Sequence, residues 1–104
     1  MKKQTLKILN LYYSLRWVKR GKLDMNSERC AGTCDPDKQV ISIELGASPE
    51  RTAEVLIHEV MHALWAAFDI GDEADEETAI KRIAAGLADV ARENPVFVDI
   101  LLKK

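Results

Sequence analysis

Histidine, cysteine, proline and glycine are all scarce: two, two, three and five residues among 104. Two cysteines, Cys30 and Cys34, cannot form the disulfide framework of a small secreted domain, so the expected compartment is a reducing cytoplasm. So little proline and glycine excludes collagen-like and linker-rich chains. No apolar run approaches the roughly 18 residues that cross a bilayer, and no membrane partner is expected. The stretch after Met1-Lys2-Lys3 faintly resembles a secretion signal, but Asn10 and Ser14 interrupt it and no small-residue cleavage site follows; it is read as strand. Charges nearly cancel, to −2, which gives no general case for nucleic acid. Lys2, Lys3, Lys7, Arg16, Lys19, Arg20 and Lys22 do precede the first acid, Asp24, but solvated strand faces account for them as well as a contact patch would. With 47% hydrophobic and 31% charged residues, positions 1–104 read as one globular domain.

Both histidines are concentrated in one place. Leu56-Ile57-His58-Glu59-Val60-Met61-His62-Ala63-Leu64-Trp65 contains H-E-x-x-H. On a helix, residues four apart lie about 40° apart around the axis and roughly 6 Å along it, so two imidazoles can hold one metal ion. The helix is well specified. Ser48 supplies an N-cap hydroxyl, Pro49 a first-turn proline and Glu50 a first-turn acid. Ala53, Leu56, Ile57, Val60, Leu64, Ala67 and Phe68 continue at helical spacing to about Ile70, where Gly71 can end it. A histidine on an apolar face is usually a core residue, but here no histidine is used elsewhere, and a buried Glu59 needs a strong partner.

The remaining pattern predicts an α+β fold: a small antiparallel sheet, the metal-binding helix, a second helix and a short C-terminal helix. Residues 5–19 suggest one bent strand or two short ones. Residues 19–38 hold turn signals and suggest loop and hairpin, with Cys30 and Cys34 as free thiols. From Gln39 to Leu45 alternation predicts a half-buried strand, with Val40, Ser42 and Glu44 on one face. After Gly71 an acidic run opens a helix to about Arg92, whose Ala84, Ala85 and Gly86 permit close packing. Asn94-Pro95 ends it and can cap a last helix, Val96 to Leu102.

Catalytic zinc takes three protein ligands and keeps an open position. His58 and His62 give two. Trp65 and Phe68 stand where one large subclass has its glycine and third histidine, so that subclass is excluded. A glutamate on the next helix is the remaining common solution. A helical wheel places Glu76 and Glu73 slightly nearer the apolar stripe than Glu77.

With the strand Gln39–Ile43 leading to His58-Glu59-x-x-His62-Ala63, then Glu76-Glu77 and Asn94-Pro95, the chain resembles the glutamate-zincin metallopeptidases. More narrowly it is similar to the short metallopeptidase-like proteins of phages and prophages. The resemblance covers about three quarters of the chain. In that group the ligand glutamate is followed six and seven residues on by an apolar and a small residue; Ile83 and Ala84 satisfy this from Glu77. The resemblance thus implies zinc held by His58, His62 and Glu77, with Glu59 as general base. One departure is that no later histidine or tyrosine remains to stabilise an oxyanion, Tyr12 and Tyr13 both preceding the motif.

The expected function is zinc-dependent peptide-bond hydrolysis, with a peptide or protein segment held by β-augmentation on an exposed edge of the Val40–Leu45 strand. Two alternatives belong to other classes: a non-catalytic zinc-stapled protein, and a binding or regulatory module. Trp65, one turn past His62, serves either the core or the wall of the cleft. Spacing says nothing of oligomeric state.

Overall fold

Seven elements follow the expected order of sheet then helices. They are β1 (Gln4–Ile8), β2 (Leu11–Val18), β3 (Gly32–Asp35), β4 (Val40–Glu44), α1 (Pro49–Ala67), α2 (Glu76–Glu93) and α3 (Pro95–Leu102). The computed structural model describes residues 4–25, 28–71 and 75–103, without the side chain of Glu76. The N-terminal stretch resolves into two strands, because Leu9 takes a positive φ of 57° and turns the chain back on itself, pairing Ile8 with Leu11.

The sheet order is β1-β2-β4-β3. Two pairings are antiparallel, as expected, but the central one, β2 with β4, is parallel. The reason is the long connection through residues 19–31. It carries the chain past the sheet before the β3–β4 hairpin forms, and that hairpin docks with β4 inward. Residues 41–44 are buried on both faces, which suits an interior strand and corrects the half-buried reading. Glu44, on the face away from the helices, is 4% exposed. It accepts hydrogen bonds from Arg29, at both guanidinium ends, and from the backbone N–H of Gly21 at 2.9 Å. Arg29 also reaches Asp24 at 3.0 Å, so one buried carboxylate ties Gly21, Asp24 and Arg29 to the sheet.

On the other face Leu6, Ile8, Tyr13, Leu15, Ile41 and Ile43 meet Leu56, Val60, Ala63 and Leu64 of α1, with Ile83 and Val90 of α2 and Phe97 of α3. Ser48 caps α1, accepting from Arg51 N at 3.1 Å. The helix stops at Ala67, about three residues before the expected end. Asp69 takes the left-handed position (φ 51°), a conformation aspartate tolerates, while its N–H bonds Ala66 O and that of Ile70 bonds Trp65 O. Asp75 caps α2 by accepting from Thr78 N at 2.8 Å. Of the three small residues, Gly86 makes the close approach: a Cβ there would lie 2.6 Å from a methyl of Leu64.

Asn94 was expected to cap α3, and its side chain makes no such bond. Its Oδ1 accepts from Lys7 N, while Nδ2 donates to Lys7 O and Val90 O, all at 2.7–2.9 Å. The amide therefore occupies the outward main-chain groups of Lys7 on the β1 edge and closes it to further pairing there.

Candidate metal centre

Leu56, Val60, Ala63 and Leu64 fix the rotation of α1 by burying one side of it. Two residues before Val60 and two after, His58 and His62 therefore emerge together on the opposite, exposed side. Their Nε2 atoms are 3.1 Å apart, with ring centroids 4.7 Å apart and planes nearly perpendicular. Two nitrogens bound to tetrahedral zinc at about 2.05 Å would be about 3.3 Å apart, so this spacing fits the ion. Glu59 is 6% exposed, yet one ligand atom from each of His58, Glu59 and His62 lies within 4.8 Å of the others. Among the described residues these three form the group able to hold a metal. The arrangement is consistent with a zincin motif.

Burial pushes the Glu59 carboxyl above the usual carboxylate range, against the opposing pull of the two neighbouring imidazoles. Such a carboxylate is a better base than an exposed one. It is held under the sheet edge by Gly32 of β3: a Cβ on Gly32 would lie 2.6 Å from Val55 Cγ1 and 3.1 Å from Glu59 Oε2. The strand can reach the helix this closely only without a side chain.

A cleft of about 520 Å³ separates Cys30, Ala31 and Gly32 from Val55, His58 and Glu59. Among the described residues its β3 wall pairs with no further strand, and Cys30 Sγ donates to the Gly32 carbonyl at 3.1 Å. Glu44 N donates to Ala31 O, and by antiparallel alternation Thr33 and Asp35 also face β4, whereas Gly32 and Cys34 turn their main-chain groups outward. The edge expected on β4 is thus on β3, because β4 is paired on both sides.

Of the predicted site residues, His58, Glu59 and His62 come together and Glu77 does not join them. Glu77 is exposed near the start of α2 and lies nine residues before Gly86, half a turn around the helix from the contact with α1. Glu73 lies outside the described residues, as does the side chain of Glu76. Neither tyrosine lines the cleft: Tyr13 is in the core and Tyr12 is exposed. Trp65 is exposed and walls a second, smaller hollow beside the histidines. Both cysteines are free, and Cys34 belongs to β3. Burial, with Glu59 and Asp35 nearby, pushes its thiol up to about 11, so it is a poor nucleophile and a poor metal ligand. Sequence spacing missed Gly32 and Arg29. A lone glycine in a turn-rich stretch gives no hint that the histidine-bearing helix lies against it.

Compared with protein-family models, with curated proteins and with solved structures, the chain matches none.

Proposed function

We propose that the chain is a zinc-dependent peptidase of the zincin type. What supports this reading is one observation: two imidazole nitrogens at zinc-like spacing, with a buried carboxylate, beside the outer edge of β3. His58 and His62 hold the ion. The third ligand is a carboxylate at the start of α2, Glu77 by the family register, which requires the first turn of α2 to present it to the histidine face. Zinc, when bound, would polarise a carbonyl and lower the pKa of a water to about 7. Glu59 accepts the proton of the attacking water and hands it to the departing amine. The outward main-chain groups of Cys34, and of Gly32 once a peptide N–H displaces the Cys30 thiol from its carbonyl, pair with an extended peptide and set the bond to be cut above the histidines.

A purely structural zinc is the competing reading, and the two imidazoles do little for it. Both are on one helix, and an ion there joins separate elements only through α2.

The test is Glu59→Gln, which keeps the shape and removes the base. Zinc content should be unchanged while cleavage of a peptide library falls by about 10²–10⁴. Equal cleavage by both proteins would remove Glu59 from the mechanism. Zinc retained with no cleavage by the parent would leave a staple.

A further inference from the structure

The histidine face of α1 carries more than the imidazoles. Met61 and Trp65, four residues apart, flank them and are 42% and 44% exposed, so two large apolar side chains stand in solvent beside a candidate metal site. With His58 and His62 they line a hollow of about 270 Å³. That is below the usual range for a whole small-molecule ligand, and it suits one large side chain. Among the described residues no carboxylate, lysine or arginine borders it. The hollow adjoins the β3 cleft, with which it shares His58 and Met61. A peptide paired to β3 and crossing the histidines would therefore project a side chain onto this shelf.

We propose that Met61 and Trp65 form a specificity shelf for a large apolar side chain, of the phenylalanine, leucine or methionine type, adjacent to the bond to be cut. This rests on the metallopeptidase reading above. The shelf selects by burying apolar area against a methionine that adapts its shape and an indole that offers a flat face. A lysine or arginine side chain would lose water there beside a cation, with no partner to replace it.

The experiment is calorimetric titration of the zinc-loaded protein with three zinc-chelating hydroxamates: acetohydroxamate, which has no side chain, N-acetyl-alanine hydroxamate and N-acetyl-phenylalanine hydroxamate. The phenylalanine probe should bind about tenfold more tightly than the alanine probe, a fraction of what full burial of the ring would give because the shelf is half open. Met61→Gln and Trp65→Gln should each cut that ratio to about threefold or less and leave zinc content and acetohydroxamate affinity unchanged. Trp65→Phe should restore most of it. Equal affinity for the two amino-acid probes, with zinc bound and acetohydroxamate binding normally, overturns the shelf and leaves the metal site standing. Absence of zinc overturns both. A parent dimer that sediments as a monomer in Trp65→Gln would make this face a contact between copies, and also overturns the proposal.

Discussion

Replacing Gly32 with alanine adds one methyl group where β3 lies against α1. The added carbon would be 2.6 Å from Val55 Cγ1, 3.1 Å from Glu59 Oε2 and 3.2 Å from Glu59 Cγ. Valine is stiff at χ1 and cannot swing clear, so the strand or the helix must move. Overpacking of this kind costs about 1–3 kcal/mol. Removing glycine from a strand returns roughly 0.5–1 kcal/mol through lower unfolded-state entropy, so the net loss centres on about 1 kcal/mol and reaches about 2.5 kcal/mol. For a chain this size that lowers the melting temperature by roughly 5–10 °C. Gly86→Ala is the control. Its closest contact is also 2.6 Å, but to a terminal methyl of Leu64, which can shift, and alanine gains about 1 kcal/mol within a helix. Calorimetric melts of the two variants should therefore separate, with Gly32→Ala clearly lower and Gly86→Ala close to the parent. A Gly32→Ala protein as stable as the parent would refute the close approach that holds Glu59 in place.

Three further outcomes follow from named contacts. The guanidinium of Arg29 and the N–H of Gly21 hold the Glu44 carboxyl down to about 2, against an ordinary 4.5, so its stabilisation is complete above pH 4.5 and disappears as pH falls toward 2. The gap in melting temperature between the parent and Glu44→Gln should accordingly narrow over that range, and a gap constant from pH 7 to pH 2 would contradict it. Asn94→Ala removes three hydrogen bonds, two of them to Lys7 on the β1 edge, and should cost about 3 kcal/mol in urea unfolding; a loss below about 1 kcal/mol would mean the edge closes without it. Glu77→Ala should weaken zinc binding far more than Glu76→Ala, and the reverse order would assign the third ligand to Glu76.

The parts of this molecule that were legible in advance are those specified by neighbours in the chain. Ser48, Pro49 and the Leu56–Val60–Leu64 spacing define α1, and the same spacing puts His58, Glu59 and His62 where the structure has them. The acidic run after Gly71 and the Asn94-Pro95 stop do the same for α2. What escaped is specified by distant partners. The parallel β2–β4 pairing depends on how the 19–31 connection is tied to Glu44, and Arg29 and Glu44 are fifteen residues apart. Closure of the β1 edge depends on Asn94, eighty-seven residues from Lys7. β3 itself, Gly32-Thr33-Cys34-Asp35, is four residues long and begins and ends on residues that strands disfavour, and pairing with β4 makes it a strand. Hence the helix bearing the histidines was readable while the wall facing it was not.

The central claim is that His58 and His62 share one zinc ion, and elemental analysis of the purified protein tests it most directly. The histidine geometry predicts about one zinc per chain at neutral pH, released on acidification as protons compete for the imidazoles. His58→Ala and His62→Ala should each lose the metal and keep the fold, since both side chains lie outside the core. Protein purified without zinc and unable to take it up, or His58→Ala retaining as much zinc as the parent, would contradict the claim.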